Sequence, residues 1–371
     1  MHAGNGPAVH PDHAETSAEI NLNRPAEFGV WGAMTGRLAG PAVDERAVTA
    51  AAVTRGFDPA DLEAAVAAAA AVRAGGGSTD QAGAAAEVIA ETLAAVRSLG
   101  AADAGQRLVD WSTFGMVITV LAGSPGAGAS VVAAALADVL QLAGRCVLLV
   151  DAADPARSGL AAAASVDGPW TTTVSQLLQI RYSWRQDALV ARLESRLPVI
   201  SPGMVPPPRF WRPALDPLHA TVVDIGYDGW RATANPLLGA GAWLRSGVPT
   251  ARPVLVVRPT RPSLRHAEQV LARLDPWIRS GAVTPPCQLV VVGTRRWPRG
   301  VVGAAGRRLE ALLASALFLP WDGELAAGGI TDQLVRVRVR TAVGRMLAEW
   351  GALPAPRRSR GRIAQARQGV A

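Results

Sequence analysis

Seven apolar runs of strand length, at 116–122, 146–151, 198–201, 221–225, 253–257, 288–292 and 316–319, recur along the last two thirds of this chain. Most are near-continuous in Val, Leu, Ile and Ala instead of alternating with polar residues, as in strands covered on both faces. Between most of them lie segments with a 3.6-residue apolar period, such as 130–143, 263–277 and 301–314. Buried strands alternating with helices predict an α/β fold: a doubly wound, mainly parallel sheet of about seven strands, helices on both faces. Sheets of this kind bind ligands beyond the carboxyl ends of their strands.

The first run leads into GSPGAGAS, residues 123–130, and then into a helical segment. Glycines at Gly123, Gly126 and Gly128 let backbone amides of the turn, with Ser124, Ala127 and Ala129 between them, converge on an anion. The helix opening at Ser130 points its positive end there. The stretch fits G-x-x-x-x-G-K-[ST] in its glycines and its hydroxyl, which makes Ser130 a candidate magnesium ligand. Ala129 stands at the lysine position, so the cation that bridges terminal phosphates is missing. All 37 basic residues are arginine, and no lysine amine exists anywhere in the chain.

The turn followed by VVAAALADVLQLAGRCVLLVDAADP resembles the ParA/MinD superfamily of deviant P-loop ATPases, over roughly residues 116–350. The resemblance implies that Ser124 occupies the place of the signature lysine that crosses to a partner subunit. It matches Asp151 to the aspartate ending the second strand, though VDAADP is one residue longer than the usual form. TVVDIG is similar to a Walker B strand, with Asp224 as the matching aspartate and second magnesium candidate. PVLVVRPTRPSLRHAEQVLARL is similar to the following strand and helix, and Gly293-Thr294 stands where the family often places a base-contacting asparagine. The GAGAS form resembles the CpaE/TadZ-like branch; ParA-like proteins of mobile elements are a second match.

The resemblance implies a positioning or assembly factor of partition, septum, secretion or pilus machinery, with protein partners and homodimer formation. Catalytic residues are not expected, Asp151 and Asp224 being vestigial candidates; no cofactor is required, and ATP with magnesium is expected to bind weakly. One alternative is an active ATPase in which Arg157, Arg258 or Arg261 replaces the lysine. Another is a DNA-binding partition or conjugation accessory using VRVRVR at 335–340 and the arginines of the C-terminus.

Residues 1–25 are polar and aperiodic and are expected to be disordered. Residues 26–110 form an Ala-rich helical region in which Gly75–Gly77 ends one helix and residues 78–80 start another. Within it, EFGVWGAMTGR resembles the turn of WhiB-like regulators but lacks their cluster cysteines. The P-loop domain is expected at 111–352 and a basic tail at 353–371. Asp151 and Asp224 also read as ordinary strand-end aspartates, and Trp297, Trp321 and Trp350 as packing residues. Cys146 and Cys287 each open an apolar run and read as core residues, so neither a disulfide nor a cysteine metal site is supported. The five histidines are scattered, and no nucleophilic triad is recognisable. Without a signal peptide or an apolar run long enough to span a bilayer, the expected location is cytoplasmic or peripheral at the membrane or nucleoid.

The net charge of +7 comes partly from RRSRGRIAQARQ at 357–368, with five arginines and no acid. It reads either as a solvated extension or as a contact for DNA or anionic membrane. With only Ile363 and Val370 as sizeable apolar residues, any attachment is electrostatic, and counterion release makes it salt-sensitive. Binding of the full chain to DNA and to anionic vesicles is expected to weaken steeply from low to physiological salt. Truncation after Pro356 is expected to weaken it at low salt. Affinities unchanged by truncation would identify a solvated extension.

Overall fold

The computed structural model describes residues 108–354 apart from 165, 174–176, 198–199 and 216, together with 70, 74–78 and 80–84. The expected disorder at 1–25, the WhiB-like turn, most of the Ala-rich region and the arginines of 357–367 lie outside the described residues. Within the Ala-rich region, Gly76 takes a positive φ of 82°, between helical residues 74 and 80. The Ser78 amide donates to Gln81 Oε1 at 2.8 Å and the Gln81 amide to Ser78 Oγ at 3.2 Å, a reciprocal cap at a helix start.

In chain order the elements are β1 (Val109–Asp110), β2 (Met116–Ala122), α1 (Ala129–Leu142), β3 (Val147–Asp151), β4 (Val166–Thr172), β5 (Leu178–Arg185) and β6 (Ala188–Ser195). There follow β7 (Ala220–Asp228), α2 (Gly229–Ala232), β8 (Gly247–Val248), β9 (Val254–Val257), α3 (Arg261–Arg279) and β10 (Gln288–Val292). The last are α4 (Arg307–Leu313), β11 (Leu317–Leu319), α5 (Gly323–Gly328) and α6 (Val337–Glu349). Nine strands form one sheet in the order β11-β10-β9-β2-β7-β3-β6-β5-β4, and β1 pairs with β8 apart from it. From β11 to β6 the pairings are parallel, and β5 is antiparallel to both its neighbours. The chain leaves β2 towards β3 on one side and later crosses to β9 on the other. The glycine turn therefore lies where the winding reverses, the crevice in which such sheets hold ligands.

Two apolar layers sandwich the sheet. One face packs against α1 and α6 through Val132, Leu136, Leu140, Val343 and Leu347; the other packs against α3 through Leu264, Leu271 and Leu274. Thus the parallel α/β expectation holds, with nine strands in place of about seven. Of the strand expected at 198–201, residues 198–199 lie outside the described residues, Ile200 and Ser201 are in no strand, and Ser201 leads into a 3-10 turn at Pro202–Met204. Its place beside β3 is taken by β6, last strand of a meander whose middle strand, LQIRYSWR, alternates in burial. The helix expected at 301–314 is a 3-10 turn at Val302–Ala304 followed by α4. Cys146 is half-buried and Cys287 exposed, so the core reading of Cys287 is corrected.

VRVRVR runs into α6, and its charges are largely spent. Arg338 bridges Asp322 at 3.0 Å, and Arg336 pairs with Glu324. A DNA-binding patch built on these arginines would have to break those pairs.

The outer strand β4 slips register between Asp167 and Trp170, with Gly168 and Pro169 at the break. A Cβ on Gly168 would come within 2.6 Å of the Tyr182 carbonyl. Past the break, Arg181 lies 4.4 Å over the Trp170 ring and bridges Glu194 at 2.7 Å.

A buried ion pair joins the meander to the helix that follows the glycine turn. Arg185 Nε donates to Asp138 Oδ1 at 2.8 Å and Arg185 Nη2 to Asp138 Oδ2 at 3.0 Å, both side chains fully buried. The remaining guanidinium donors go to the carbonyls of Ala163, Thr331 and Gln333, while the Val335 amide donates to Asp138 Oδ2 at 2.7 Å. Every charge is met, so losing one partner strands the other in a dry interior. Asp138→Ala is expected to destabilise the fold by about 3–5 kcal/mol. Replacing both residues by apolar ones of similar size is expected to cost much less, as denaturant midpoints of the three proteins would show.

Candidate functional site

The turn is held in place from three directions. The Gly123 amide donates to the Val256 carbonyl of β9 at 2.8 Å. A Cβ at Gly123 would press on Ala267 and Val256 at 3.0 Å, so the close approach of turn, β9 and α3 needs glycine. Gly126 and Gly128 take φ values of 66° and 95°, in the left-handed region, and Gly128 caps α1 without any side-chain hydrogen bond. The buried Ala127 donates its amide to the Ser124 carbonyl at 3.2 Å, closing the turn on itself. The structure therefore brings Gly123, Ser124, Gly126, Ala127, Gly128, Ala129 and Ser130 into one compact turn at the start of α1.

Ala129 and Ser124 stand at the two positions that the sequence resemblance matches to lysines. Ala129 ends in a methyl group. Ser124 is buried and shares a 2.7 Å hydrogen bond with Ser263 Oγ on α3. Of the three arginines considered as substitutes, Arg258 alone is seen against the turn, its Nε donating to the Gly126 carbonyl at 3.0 Å. Arg261 instead donates to Gly300, and Arg157 is exposed.

Behind the turn, Asp151 and Asp224 pair side by side on β3 and β7, both fully buried. Asp151 accepts from Ser158 Oγ at 2.5 Å and the Ala153 amide at 3.3 Å, with Arg192 Nε at 3.7 Å. Burial raises its pKa; the Ser158 hydroxyl, Arg192 and the Ala153 amide work against the rise. Asp224 Oδ1 accepts from the Gly226 amide at 3.1 Å. Its buried Oδ2 meets no donor in hydrogen-bonding geometry, although the Ser130 hydroxyl is near enough to favour the ionised form. Burial first, and the neighbouring Asp151 charge second, push the Asp224 pKa up to about 7. A buried carboxylate oxygen beside Ser130 fits a magnesium ion. Among the described residues no cluster of three or more His, Cys, Asp or Glu side chains could hold another metal.

Sequence reasoning missed Ser158, Arg192 and Ser263, which reach the site from separate elements and have no motif of their own. It also missed Gly159, where a Cβ would come within 2.4 Å of Ser130 Oγ. Trp297 packs edge-on to Phe318 at 5.5 Å, and the half-buried Trp350 lies under Arg252 at 5.2 Å. Trp321, read as a packing residue, is 58% exposed, with its ring edge close to Gly293 at the end of β10. A shallow cleft of about 290 Å³ adjoins Gly123, Ser124 and Pro125 and is walled by Asp228, Trp230, His266 and Gln269.

These features define a doubly wound α/β protein with a phosphate-loop-type turn at its switch point. Its structural neighbours are MinD and ParA ATPases. The MinC:MinD cell division protein complex of Aquifex aeolicus matches at 15% identity over 63% of this chain and 96% of that one, TM-score 0.42. A ParA family ATPase of Chlorobium tepidum TLS matches at 15% over 64% and 99%, TM-score 0.41. The septum site-determining protein MinD complexed with Mg-ADP from Pyrococcus horikoshii OT3 matches at 16% over 64% and 98%, TM-score 0.44. No protein-family model and no curated protein matches the chain. Among the described residues no helix is long and apolar enough to cross a membrane.

The raised Asp224 pKa has a signed effect on stability. An unfolded aspartate titrates near about 3.9, so from there to about 7 the native chain holds more protons than the unfolded one. Stability therefore falls as pH rises through that window, and the cost of the ionised group is complete above it. Asp224→Asn is expected to stabilise the protein on the order of 1–3 kcal/mol at pH 8 and much less at pH 5. Denaturant midpoints at the two pH values check this; a gain independent of pH would count against it.

Proposed function

We propose that this protein is a ParA/MinD-like positioning or assembly factor with a degenerate nucleotide site, one that binds Mg-nucleotide weakly and hydrolyses it negligibly. One observation carries the reading. The turn at the start of α1 has left-handed glycines and a helix start of the kind that cradles an anion, while the two positions that the sequence resemblance matches to lysines hold Ala129 and a Ser124 bonded to Ser263. The backbone amides of Gly126, Gly128, Ala129 and Ser130 would hold the phosphates. Ser130 and the orphaned oxygen of Asp224 would hold magnesium, which would shield phosphate charge when bound.

Loss of a charge-assisted hydrogen bond costs about 1.5–3 kcal/mol, roughly ten- to a hundredfold in affinity. Turnover suffers more, because charge developing in the transition state loses its clamp as well. What remains suits a protein whose nucleotide-fold surface recruits partners. Protein partners of a partition, septum, secretion or pilus machinery, self-association, and contact of the arginine tail with DNA or anionic lipid belong to this reading.

Magnesium-dependent ATP turnover is expected to be near the no-enzyme background, and Asp224→Ala to leave it there. Ala129→Lys is expected to tighten ATP binding about tenfold or more by restoring the charge. Calorimetry and phosphate release decide the matter: brisk turnover abolished by Asp224→Ala would overturn the reading.

A further inference from the structure

Arg258 stands apart from the other cations near the turn. It directly follows β9, across the switch point from the turn, and is only partly exposed. Its backbone is pinned: the Arg258 amide donates to Ser263 Oγ at 2.9 Å, and that same oxygen bonds Ser124 at 2.7 Å. One serine thus couples the first vacated lysine position to the arginine. The side chain then reaches over the turn, with Nε on the Gly126 carbonyl at 3.0 Å and Nη1 beside Gly293.

That single contact uses one of five guanidinium donors. None of Arg258, Arg261, Arg295, Arg296 and Arg299 is in an ion pair among the described residues. Between Asp275 and Glu310 the sequence contains no acid, so that segment supplies no carboxylate to these arginines. On the opposite side of the α1 start, Asp224 Oδ2 is buried and without a hydrogen bond. Unsatisfied buried oxygens are rare, and a metal bound with an anion would satisfy this one.

We propose that Arg258 is the cation of this phosphate site: its free guanidinium donors bind the phosphate of a nucleoside polyphosphate seated in the turn, in place of the lysine absent at position 129. The inference rests on the reading of the turn as a nucleotide site and names the residue that makes such binding work without lysine. A planar fork matches phosphate oxygens in pairs, whereas a lysine supplies a point charge. Approaching from β9 instead of from within the turn, the guanidinium grips phosphate without supplying the ammonium that the turn itself lacks. Affinity and turnover are thereby separated.

The test uses the full chain, with MgADP and magnesium pyrophosphate as probes, measured by calorimetry. Arg258→Gln keeps a donor for the Gly126 carbonyl but removes the charge; it is expected to weaken both probes roughly tenfold or more. Adding Ala129→Lys to that variant is expected to restore most of the affinity, because a charge is returned without the Gly126 contact. A merely structural role for Arg258 would leave the two substitutions additive, with Ala129→Lys gaining no more in the Arg258→Gln background than it gains alone. Equal or tighter binding by Arg258→Gln would show a plug over the turn and overturn the inference alone. Failure of the rescue in a protein whose thermal midpoint is unchanged would do the same. Wild-type protein that binds neither probe would overturn this inference and the nucleotide reading together. Pyrophosphate binding without a matching effect on MgADP would overturn the nucleoside assignment.

Discussion

The bidentate pair of Asp138 and Arg185 is the joint on which the rest of the molecule hangs. Asp138 lies on the helix whose start forms the glycine turn, and Arg185 ends the middle strand of the meander. Through carbonyls at Thr331 and Gln333 and the Val335 amide, the same pair anchors the segment leading into α6. Three parts remote in sequence meet on two charges. Full burial makes the arrangement expensive to form, yet every donor used has an acceptor, so alternative packings of α1 would leave a bare charge. The turn inherits its orientation from this clamp, because α1 cannot roll without breaking it.

The site in front of the clamp looks like a phosphate loop in its backbone and unlike one in its side chains. Glycines and helix start are in place, and two carboxylates crowd behind them at a cost in stability. Groups kept at a cost in the interior, such as the Oδ2 of Asp224, are expected where a ligand completes the set. On the proposed reading, the positive charge of the site lies with Arg258, which borders the turn from β9.

Much of this was legible in the amino-acid sequence, and the reason differs from element to element. β2, β3, β9 and β10 are buried on both faces, so they appear as unbroken apolar runs. β5 lies near the sheet edge and alternates Leu178, Ile180 and Tyr182 with partly exposed or polar partners, a period that a search for unbroken runs passes over. The run at 198–201 has strand composition, but Pro202 follows and turns the chain. The turn itself was readable because glycine spacing is local. Ser263, Arg192 and Ser158 were not, since their roles exist only once α3, β6 and the loop after β3 are brought to one end of the sheet. Asp224 was matched through the likeness of TVVDIG to a Walker B strand, but its unmet Oδ2 is a property of packing alone.

The slipped register of β4 also limits how this molecule can associate. An outer strand normally exposes a row of unpaired amides and carbonyls, an open template for another chain. At Pro169 there is no amide to offer, and the kink next to Gly168 breaks the straight ladder that a tenth strand would need. The opposite margin, β11, has three residues. Among the described residues, neither margin of the sheet thus offers the long, straight ladder on which a further strand would pair.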